Sequence, residues 1–214
     1  MRKVTKIKIC GIKTVNDALA AMDAGADLLG FNFYPKSPRY IDVGTCRDIM
    51  SVMRKYGHIT YVGLFVNASV AEVRSTIETC GLSLAQLHGD ETSEMLDALH
   101  GKAFKAFRGV PTYVHGFARH NAPALLVDAS VKGAYGGTGV TADWSRVAEL
   151  AKQYSLLLAG GLTPKNVGDA VRQVNPWGVD VASGVESSVG SKDASKMRTF
   201  VQAVQRLEIR DSAS

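Results

Sequence analysis

The sequence predicts an α/β protein, a (β/α)₈ TIM barrel with a parallel eight-stranded core. Short apolar strands alternate with helix-forming segments roughly eight times without a linker, which implies parallel strands joined by helical crossovers. The 214 residues suffice for eight such units in a compact barrel, although about 250 residues is more usual. Turns rich in small residues follow the last two predicted strands, where such barrels commonly bind phosphate.

A doubly wound open sheet is the rival architecture. Such a sheet normally carries a G-x-G-x-x-G turn after its first strand. Here the first strand runs into the sequence CGIK, which is not a glycine-rich turn. The barrel is therefore favoured, as one domain over residues 1–209 followed by a short frayed tail at 210–214.

Four strand–helix pairs are predicted in the first half of the chain. Alternation in KIKIC places Ile7 and Ile9 on one strand face and Lys8 and Cys10 on the other. The sequence SVAE at 69–72 forms a capping box, and two prolines make 34–42 a loop. The predicted strands are 6–10, 28–33, 59–66 and 84–87, and the helices are 14–24, 46–55, one from the capping box to Gly81, and one ending near His100.

The second half of the chain is predicted to have shorter strands and more glycine. Pro111 opens a segment of weaker helical pattern, and 129–140 is a long loop containing GGTG at 136–139. Asp143 is expected to cap a helix that ends near Gln153, and Thr163-Pro164 to begin another. The remaining predicted elements are strands 103–107, 124–128, 156–159 and 179–182 and a closing helix at 193–207.

Two turns of small residues are candidate phosphate-binding sites. Glycine between a strand and a helix lets backbone N–H groups approach a ligand closely, and a helix N-terminus favours anions. One such turn alone could be ordinary, but two in succession after the last strands favour a site for one phosphate. The candidate residues are Gly160, Gly161, Ser183 and Gly184.

Three residues at or beyond strand ends are candidates for chemistry: Cys10, Arg39 and Asp128. Each has an ordinary explanation, because free cysteines are usually core, aspartates often sit in turns, and loop arginines are usually solvated. Alternation favours Cys10, since it lies beside Lys8 inside the barrel and a cation near a thiol favours the thiolate. Asp180 should also point inward, so a Lys8–Asp180 ion pair is expected there in a structural or supporting role.

Composition limits the class of protein. With 46% hydrophobic and 21% charged residues, a folded core is expected rather than disorder. The net charge of +5 is scattered along the chain, which suits an anionic small molecule and does not predict nucleic-acid binding. Three cysteines without a CxxC pair argue against a disulfide framework or a zinc site. No stretch approaches the roughly 20 apolar residues that cross a bilayer, so a cytoplasmic protein is predicted.

Motifs in order along nearly the whole chain give a resemblance to phosphoribosylanthranilate isomerase. They are KIKICGIK, SPRYI, VGLFVN at 62–67, QLHGDE at 86–91, GGTG at 136–139 with Asp143-Trp144, AGGLTPKNV at 159–167 and GVDVASGVE at 178–186. The opening KICGI is the most specific, whereas AGGL and SGVE are shared with other phosphate-binding barrels.

This resemblance implies an enzyme of tryptophan biosynthesis. The reaction would be the Amadori rearrangement of N-(5-phosphoribosyl)anthranilate to 1-(2-carboxyphenylamino)-1-deoxyribulose 5-phosphate, the third step from chorismate, with no cofactor and no metal. Cys10 would be the general base and Asp128 the general acid. Arg39 would bind the anthranilate carboxylate, and the two turns of small residues would bind the phosphate. The expected partner is a phosphorylated small molecule, with no nucleic acid or membrane, and the chain would be a monomer or a homodimer.

The chain departs from the resembled pattern at two positions. Ala182 stands where a serine often precedes SGVE, and Ala142 stands where an aromatic residue often precedes Asp-Trp. His88 could belong to the site or to a turn, and the turn is favoured.

Two alternative functions remain. The histidine-pathway isomerase performs the same chemistry on a larger substrate, but that family has an aspartate where Cys10 stands and a second phosphate site in the first half of the barrel. A barrel that only binds a sugar phosphate is the alternative from another class, and the presence of both Cys10 and Asp128 at strand ends argues against it.

Overall fold

Eight parallel strands form a closed barrel in which each strand pairs with the next and the last pairs with the first. The computed structural model describes residues 4–118, 122–129 and 144–210. The predicted (β/α)₈ barrel is thereby confirmed. The strands are β1 (Lys6–Cys10), β2 (Leu28–Asn32), β3 (Thr60–Phe65), β4 (Leu84–Leu87), β5 (Ala103–Arg108), β6 (Leu125–Asp128), β7 (Leu156–Ala159) and β8 (Gly178–Val181).

Helices pack around the outside of this barrel. They are α1 (Val15–Ala24), α2 (Val43–Met53), α3 (Val70–Cys80), α4 (Ser93–Ala98), α5 (Trp144–Gln153), α6 (Val167–Val174) and α7 (Ala194–Arg210). A 3₁₀ turn (Ser183–Val185) and a small hairpin of β9 (Glu186–Ser188) and β10 (Ser191–Lys192) separate β8 from α7. None of the helices in the described part of the chain has the length and apolarity to cross a lipid bilayer.

The core has two layers because successive strand residues point to opposite faces. On β1, Ile7 and Ile9 belong to the large apolar cluster, which includes buried residues of the helices such as Ala18 of α1. A smaller cluster fills the barrel, with Phe104, Leu126 and Leu157 among its members. The alternation predicted for KIKIC is therefore correct, and it turns the other β1 face into the barrel.

Local capping accounts for several helix ends. Ser69 and Glu72 form the predicted capping box of α3, and Gly25 and Gly81 end α1 and α3 in the left-handed conformation. The prediction for α2 was displaced, because Asp42 caps this helix by accepting from the backbone N–H of Thr45 at 2.9 Å. The helix consequently begins at Val43 and ends at Met53, not at 46 and 55.

The predicted helix start at Thr163-Pro164 is wrong. These residues form a turn, and α6 begins only at Val167. The Asn166 side chain stabilises the turn by accepting from Thr163 N–H at 2.7 Å and donating to the Gly161 carbonyl at 3.0 Å. The helix therefore starts farther from the glycine turn than the sequence suggested.

The structure also differs from the sequence-based predictions in the segment after β5, in the segment after β8 and at the end of α7. The segment that Pro111 opens contains turns and no helix over 111–118, and the hairpin after β8 was not predicted. Arg210 is the last residue of α7, although it was assigned to the tail. The GGTG loop at 136–139, Ala142, the Asp143 cap and tail residues 211–214 lie outside the described residues.

Candidate active site

A cavity of about 500 Å³ opens at the carboxyl ends of the barrel strands. This is the end at which barrel enzymes assemble their active sites, because the βα loops converge there. The cavity combines apolar walls with a thiol, carboxyl groups and two arginines. Its lining residues are Cys10, Asn32, Tyr34, Ser37, Arg39, Leu64, Val66, Gln86, His88, Arg108, Gly109, Asp128, Ala159, Asp180 and Ala182.

Cys10 and Asp128 line this one cavity. Cys10 ends β1 and Asp128 ends β6, so the two side chains reach the same mouth of the barrel from different walls. Gly30 lies opposite Cys10 on β2, and a Cβ there would be 2.8 Å from the sulfur and 3.1 Å from Lys8 Nζ. The absence of a side chain at Gly30 thus leaves room for both groups.

The expected ion pair inside the barrel is present. Lys8 is fully buried, and its ammonium group donates to Asp180 Oδ1 at 2.8 Å across the β1–β8 pairing. Burial acts to lower the pKa of Lys8, but its electrostatic and hydrogen-bond interactions with Asp180 and Cys10 outweigh it and the pKa is raised. A charged lysine is therefore fixed beneath Cys10.

Cys10 also lies within electrostatic reach of two further cations, Arg39 and Lys192. The sequence indicated Lys8 alone, since the other two lie far from Cys10 along the chain. The remaining cysteines differ, because Cys46 and Cys80 are buried in the outer core, where burial raises the pKa of both thiols. All three cysteines are free, and Cys10 is the one that lines the cavity.

A second cavity, of about 310 Å³, adjoins the first at the ends of β7 and β8. Gly160, Gly161 and Ser183 line it, as the sequence predicts for a phosphate site, together with Ala182. Gly160 and Gly161 have φ angles of 102° and 62°, which glycine tolerates far better than other residues.

Gly184 makes a close packing contact. A Cβ at Gly184 would lie 1.9 Å from the Leu162 carbonyl oxygen, so the two turns are in backbone contact. Gly184 is not among the residues that line the second cavity. Its absent side chain sets the spacing between the turn after β7 and the turn after β8.

Arg39 reaches the cavities from the loop after β2 and makes a bidentate ion pair with Glu186. Arg39 Nε and Nη2 donate to Glu186 Oε1 and Oε2 at 2.7 and 2.8 Å. Lys192 Nζ donates to the same carboxylate at 2.9 Å and Gly190 N–H at 3.2 Å. Burial acts to raise the pKa of Glu186, but the hydrogen bonds from Arg39 and Lys192 outweigh it and lower the pKa to about 2.

His88 lies on the cavity wall, although the sequence favoured a turn role for it. Burial lowers its pKa, the carboxylates of Asp128 and Asp180 oppose this, and Arg108 and Lys8 add to it. Its Nδ1 is 3.4 Å from Gln86 Nε2, and Gln86 Oε1 is the buried side-chain polar atom without a partner among the described residues. Alternation along QLH was the available signal, since it turns both side chains inward.

A second buried ion pair fixes the loops on the other side of the mouth. Lys105 Nζ donates to Glu91 Oε2 at 2.9 Å, and Glu91 also accepts from the backbone N–H groups of Asn67 and Gly89, each at 2.8 Å.

In the part of the chain that the structure describes, no group of three or more His, Cys, Asp or Glu side chains is arranged to hold a metal ion.

Comparison with known proteins identifies relatives over nearly the whole chain. The family model described as N-(5'phosphoribosyl)anthranilate (PRA) isomerase matches residues 7–203. The N-(5'-phosphoribosyl)anthranilate isomerase of Magnetococcus marinus is 48% identical over 206 residues, which are 95% of this chain and 96% of that protein.

Solved structures agree with the family match. The phosphoribosyl anthranilate isomerase of Thermotoga maritima superposes with a TM-score of 0.84 at 33% identity, covering 94% of this chain and 99% of that chain. A phosphoribosyl anthranilate isomerase in complex with reduced 1-(o-carboxyphenylamino)-1-deoxyribulose 5-phosphate gives a TM-score of 0.78 at 30% identity, covering 94% and 99%.

The lowered pKa of Glu186 predicts a specific acid sensitivity. The pKa of a free glutamate is 4.5, and that of Glu186 in the folded protein is about 2. The ionised Glu186 carboxylate therefore contributes its full stabilisation of the fold above pH 4.5, and this contribution is lost as the pH falls towards 2. From about pH 5.5 to about pH 3.5, wild type should lose on the order of 1 kcal/mol more unfolding free energy than Glu186→Gln. Urea titrations across this range would measure the difference, and parallel pH profiles would contradict the assignment.

Gly184→Ala should disturb the smaller cavity, which lies between the turn after β7 and the turn after β8. The new Cβ meets a backbone carbonyl that cannot rotate away, so we expect a loss of about 1–3 kcal/mol of stability and weaker binding of inorganic phosphate. Calorimetry and thermal unfolding would measure both. Gly57→Ala is the matched control, because a Cβ there meets nothing within 4 Å. Unchanged phosphate affinity in Gly184→Ala would reject the role given to this contact.

Proposed function

Because the chain belongs to the N-(5'-phosphoribosyl)anthranilate isomerase family, we propose that it converts N-(5'-phosphoribosyl)anthranilate to 1-(2-carboxyphenylamino)-1-deoxyribulose 5-phosphate. Family membership makes the chain an isomerase of tryptophan biosynthesis. We propose in addition that this reaction is the third step from chorismate and that the residues named below perform it. The observation that carries it is one cavity lined by both the Cys10 thiol and the Asp128 carboxyl group.

The two ends of this substrate match the two anion-binding features beside that pair. The phosphate would bind in the smaller cavity, held by backbone N–H groups of the turns that contain Gly160, Gly161 and Ser183. Gly184 would support this site through its contact with Leu162. The anthranilate carboxylate would bind to Arg39, whose planar fork matches a carboxylate. Binding at both ends orients the sugar between them.

The first step is ring opening with Asp128 as the general acid. The acid form of its carboxyl group would give a proton to the furanose ring oxygen as the bond from that oxygen to C1' breaks. The anthranilate nitrogen supplies electrons to C1', so the product of this step is a protonated imine. Proton donation by a positioned group is the usual contribution of an acid catalyst in such a step.

The second step is proton removal by Cys10. The protonated imine acidifies C2', and the Cys10 thiolate removes the proton there to give an enolamine, which tautomerises to the ketone. No electrons enter or leave, as an isomerisation requires. Lys8, held by Asp180, and the more distant Arg39 and Lys192 would stabilise the thiolate by their charge.

Three expectations about the whole protein belong to the same proposal. We infer one barrel domain over residues 1–209, a monomer or a homodimer, and a cytoplasmic location. Their basis is the sequence pattern described above, and each stays a prediction.

Cys10→Ala should abolish turnover while leaving ligand binding largely intact. Removing a general base typically costs about 10²–10⁴-fold in kcat, whereas the phosphate and carboxylate contacts remain. The measurement is kcat with freshly prepared phosphoribosylanthranilate, beside the affinity for a reduced product analogue. Cys46→Ala is the matched control, since Cys46 is buried in the outer core and should affect stability alone. A Cys10→Ala enzyme with wild-type kcat would refute the base assignment.

Asp128→Asn should also abolish turnover, because an amide cannot supply the proton that opens the ring. We expect a fall in kcat of about 10²-fold or more with little change in folding. Asp27→Asn is the control, since Asp27 pairs with Lys6 at the amino end of β2, away from the cavity. Near-normal rates in Asp128→Asn would reject the acid role.

The alternative function has its own test. If the wild-type protein turned over the substrate of the histidine-pathway isomerase, that result would favour the alternative function.

A further inference from the structure

We propose that Glu186 is a positioning residue that selects which edge of the Arg39 guanidinium binds the substrate carboxylate. This inference rests on the proposed function, which assigns the anthranilate carboxylate to Arg39. Glu186 occupies the side-on edge, formed by Nε and Nη2. The end-on edge, formed by Nη1 and the second hydrogen of Nη2, is then the edge that a ligand carboxylate can use in bidentate fashion.

The geometry of the guanidinium group explains why a carboxylate on one edge leaves only the other edge for bidentate binding. The group is planar and presents five N–H donors, which form a side-on and an end-on fork suited to a carboxylate. Glu186 takes one N–H from each atom of the side-on fork at 2.7 and 2.8 Å. A second carboxylate that approached the same edge would have to displace it.

Displacement of Glu186 is disfavoured by its other contacts. Its side chain is only 4% exposed, and the fully buried Lys192 shares its carboxylate. Gly190 N–H donates to Oε2 at 3.2 Å, and Lys196 Nζ donates to the Glu186 backbone carbonyl at 2.6 Å. Moving the carboxylate would leave the buried Lys192 charge without its counter-ion, which is costly.

The local charge also fits a bound anion. With both bases protonated, Arg39 and Lys192 carry two positive charges against the single negative charge of Glu186. These three side chains therefore retain one positive charge among themselves, and Arg39, which lines both cavities, also lies near the Cys10 sulfur. Glu186 neutralises Lys192 and orients Arg39 without cancelling the attraction for a substrate carboxylate.

The rest of Arg39 is fixed close to Cys10. A Cβ at Gly11, the residue after Cys10, would lie 2.7 Å from Arg39 Cδ, so the arginine stem passes directly beside the end of β1. Ser37 Oγ accepts from Arg39 N–H at 3.1 Å and from Asn32 Nδ2 at 3.0 Å. With stem and head both held, the direction of the end-on edge sets how the anthranilate ring lies relative to the sulfur.

The test compares two substrates in the same preparation of Glu186→Gln. One is phosphoribosylanthranilate and the other is N-(5'-phosphoribosyl)aniline, which lacks the carboxylate. The ratio of their kcat/KM values is independent of the fraction of folded protein. We expect the variant to reduce the preference for the carboxylate by about tenfold, mainly through KM, because Arg39 is no longer oriented. In an Arg39→Ala background the same substitution should change nothing further.

A matched control separates orientation from general loosening. Glu91→Gln removes a different buried carboxylate near the barrel mouth, which pairs with Lys105 and does not contact Arg39. It should lower stability and leave the substrate ratio unchanged. An unchanged ratio in Glu186→Gln, or an equal loss in Glu91→Gln or in the Arg39→Ala background, would overturn the inference.

If the Glu186→Gln variant does not fold, a measurement on the wild-type protein still tests the inference. A crystal structure with anthranilate bound should show its carboxylate on Arg39 Nη1 and Nη2 with Glu186 still on Nε and Nη2. A Glu186 carboxylate displaced from Arg39 in that complex would overturn the inference. The two proposals fail separately: absence of wild-type turnover of phosphoribosylanthranilate rejects the function, whereas turnover with an insensitive ratio rejects only the role of Glu186.

Discussion

The ion pair between Lys8 and Asp180 is the interaction on which the organisation of the site depends. A lysine that is fully buried inside a barrel must have a counter-charge, and the pairing of β1 with β8 places Asp180 directly beside it. A shift of this register by one residue would turn Lys8 into the outer apolar layer and Ile7 or Ile9 into the barrel. The same register that satisfies the charge also brings Cys10 to the mouth, so closure of the barrel and placement of the thiol have one cause.

Much of this arrangement follows from local sequence. The alternation in KIKIC orients Lys8 and Cys10, and the capping box from Ser69 to Glu72 defines the start of α3, because both patterns involve residues close together in the chain. The eightfold alternation predicts the barrel, and the barrel in turn collects strand ends such as that of β6 at one mouth.

Features that depend on distant partners were not accessible in the same way. Glu186 stood within a recognised motif, yet its importance comes from Arg39, Lys192 and a hairpin whose strands have only three and two residues. The displaced start of α2 has a different origin, since Asp42 caps the helix through the hydroxyl and amide of Thr45, only three positions away, and an aspartate at such a position is a local signal for a helix start. The sequence indicated which residue types were present, and the tertiary contacts decided which of them share a cavity.

The ion pairs of Lys8 with Asp180 and of Arg39 with Glu186 also indicate at what stage of folding the site forms. Lys8 and Asp180 are separated by 172 positions in the chain, and Arg39 and Glu186 by 147. Contacts between such remote segments form only after the entropy of closing a very long loop has been overcome, which usually places them late in folding. A nascent chain that has not yet released β8 and the hairpin therefore holds Lys8 and Arg39 without their carboxylate partners, and Cys10 without Lys192. Competence for chemistry arises together with the final closure of the barrel.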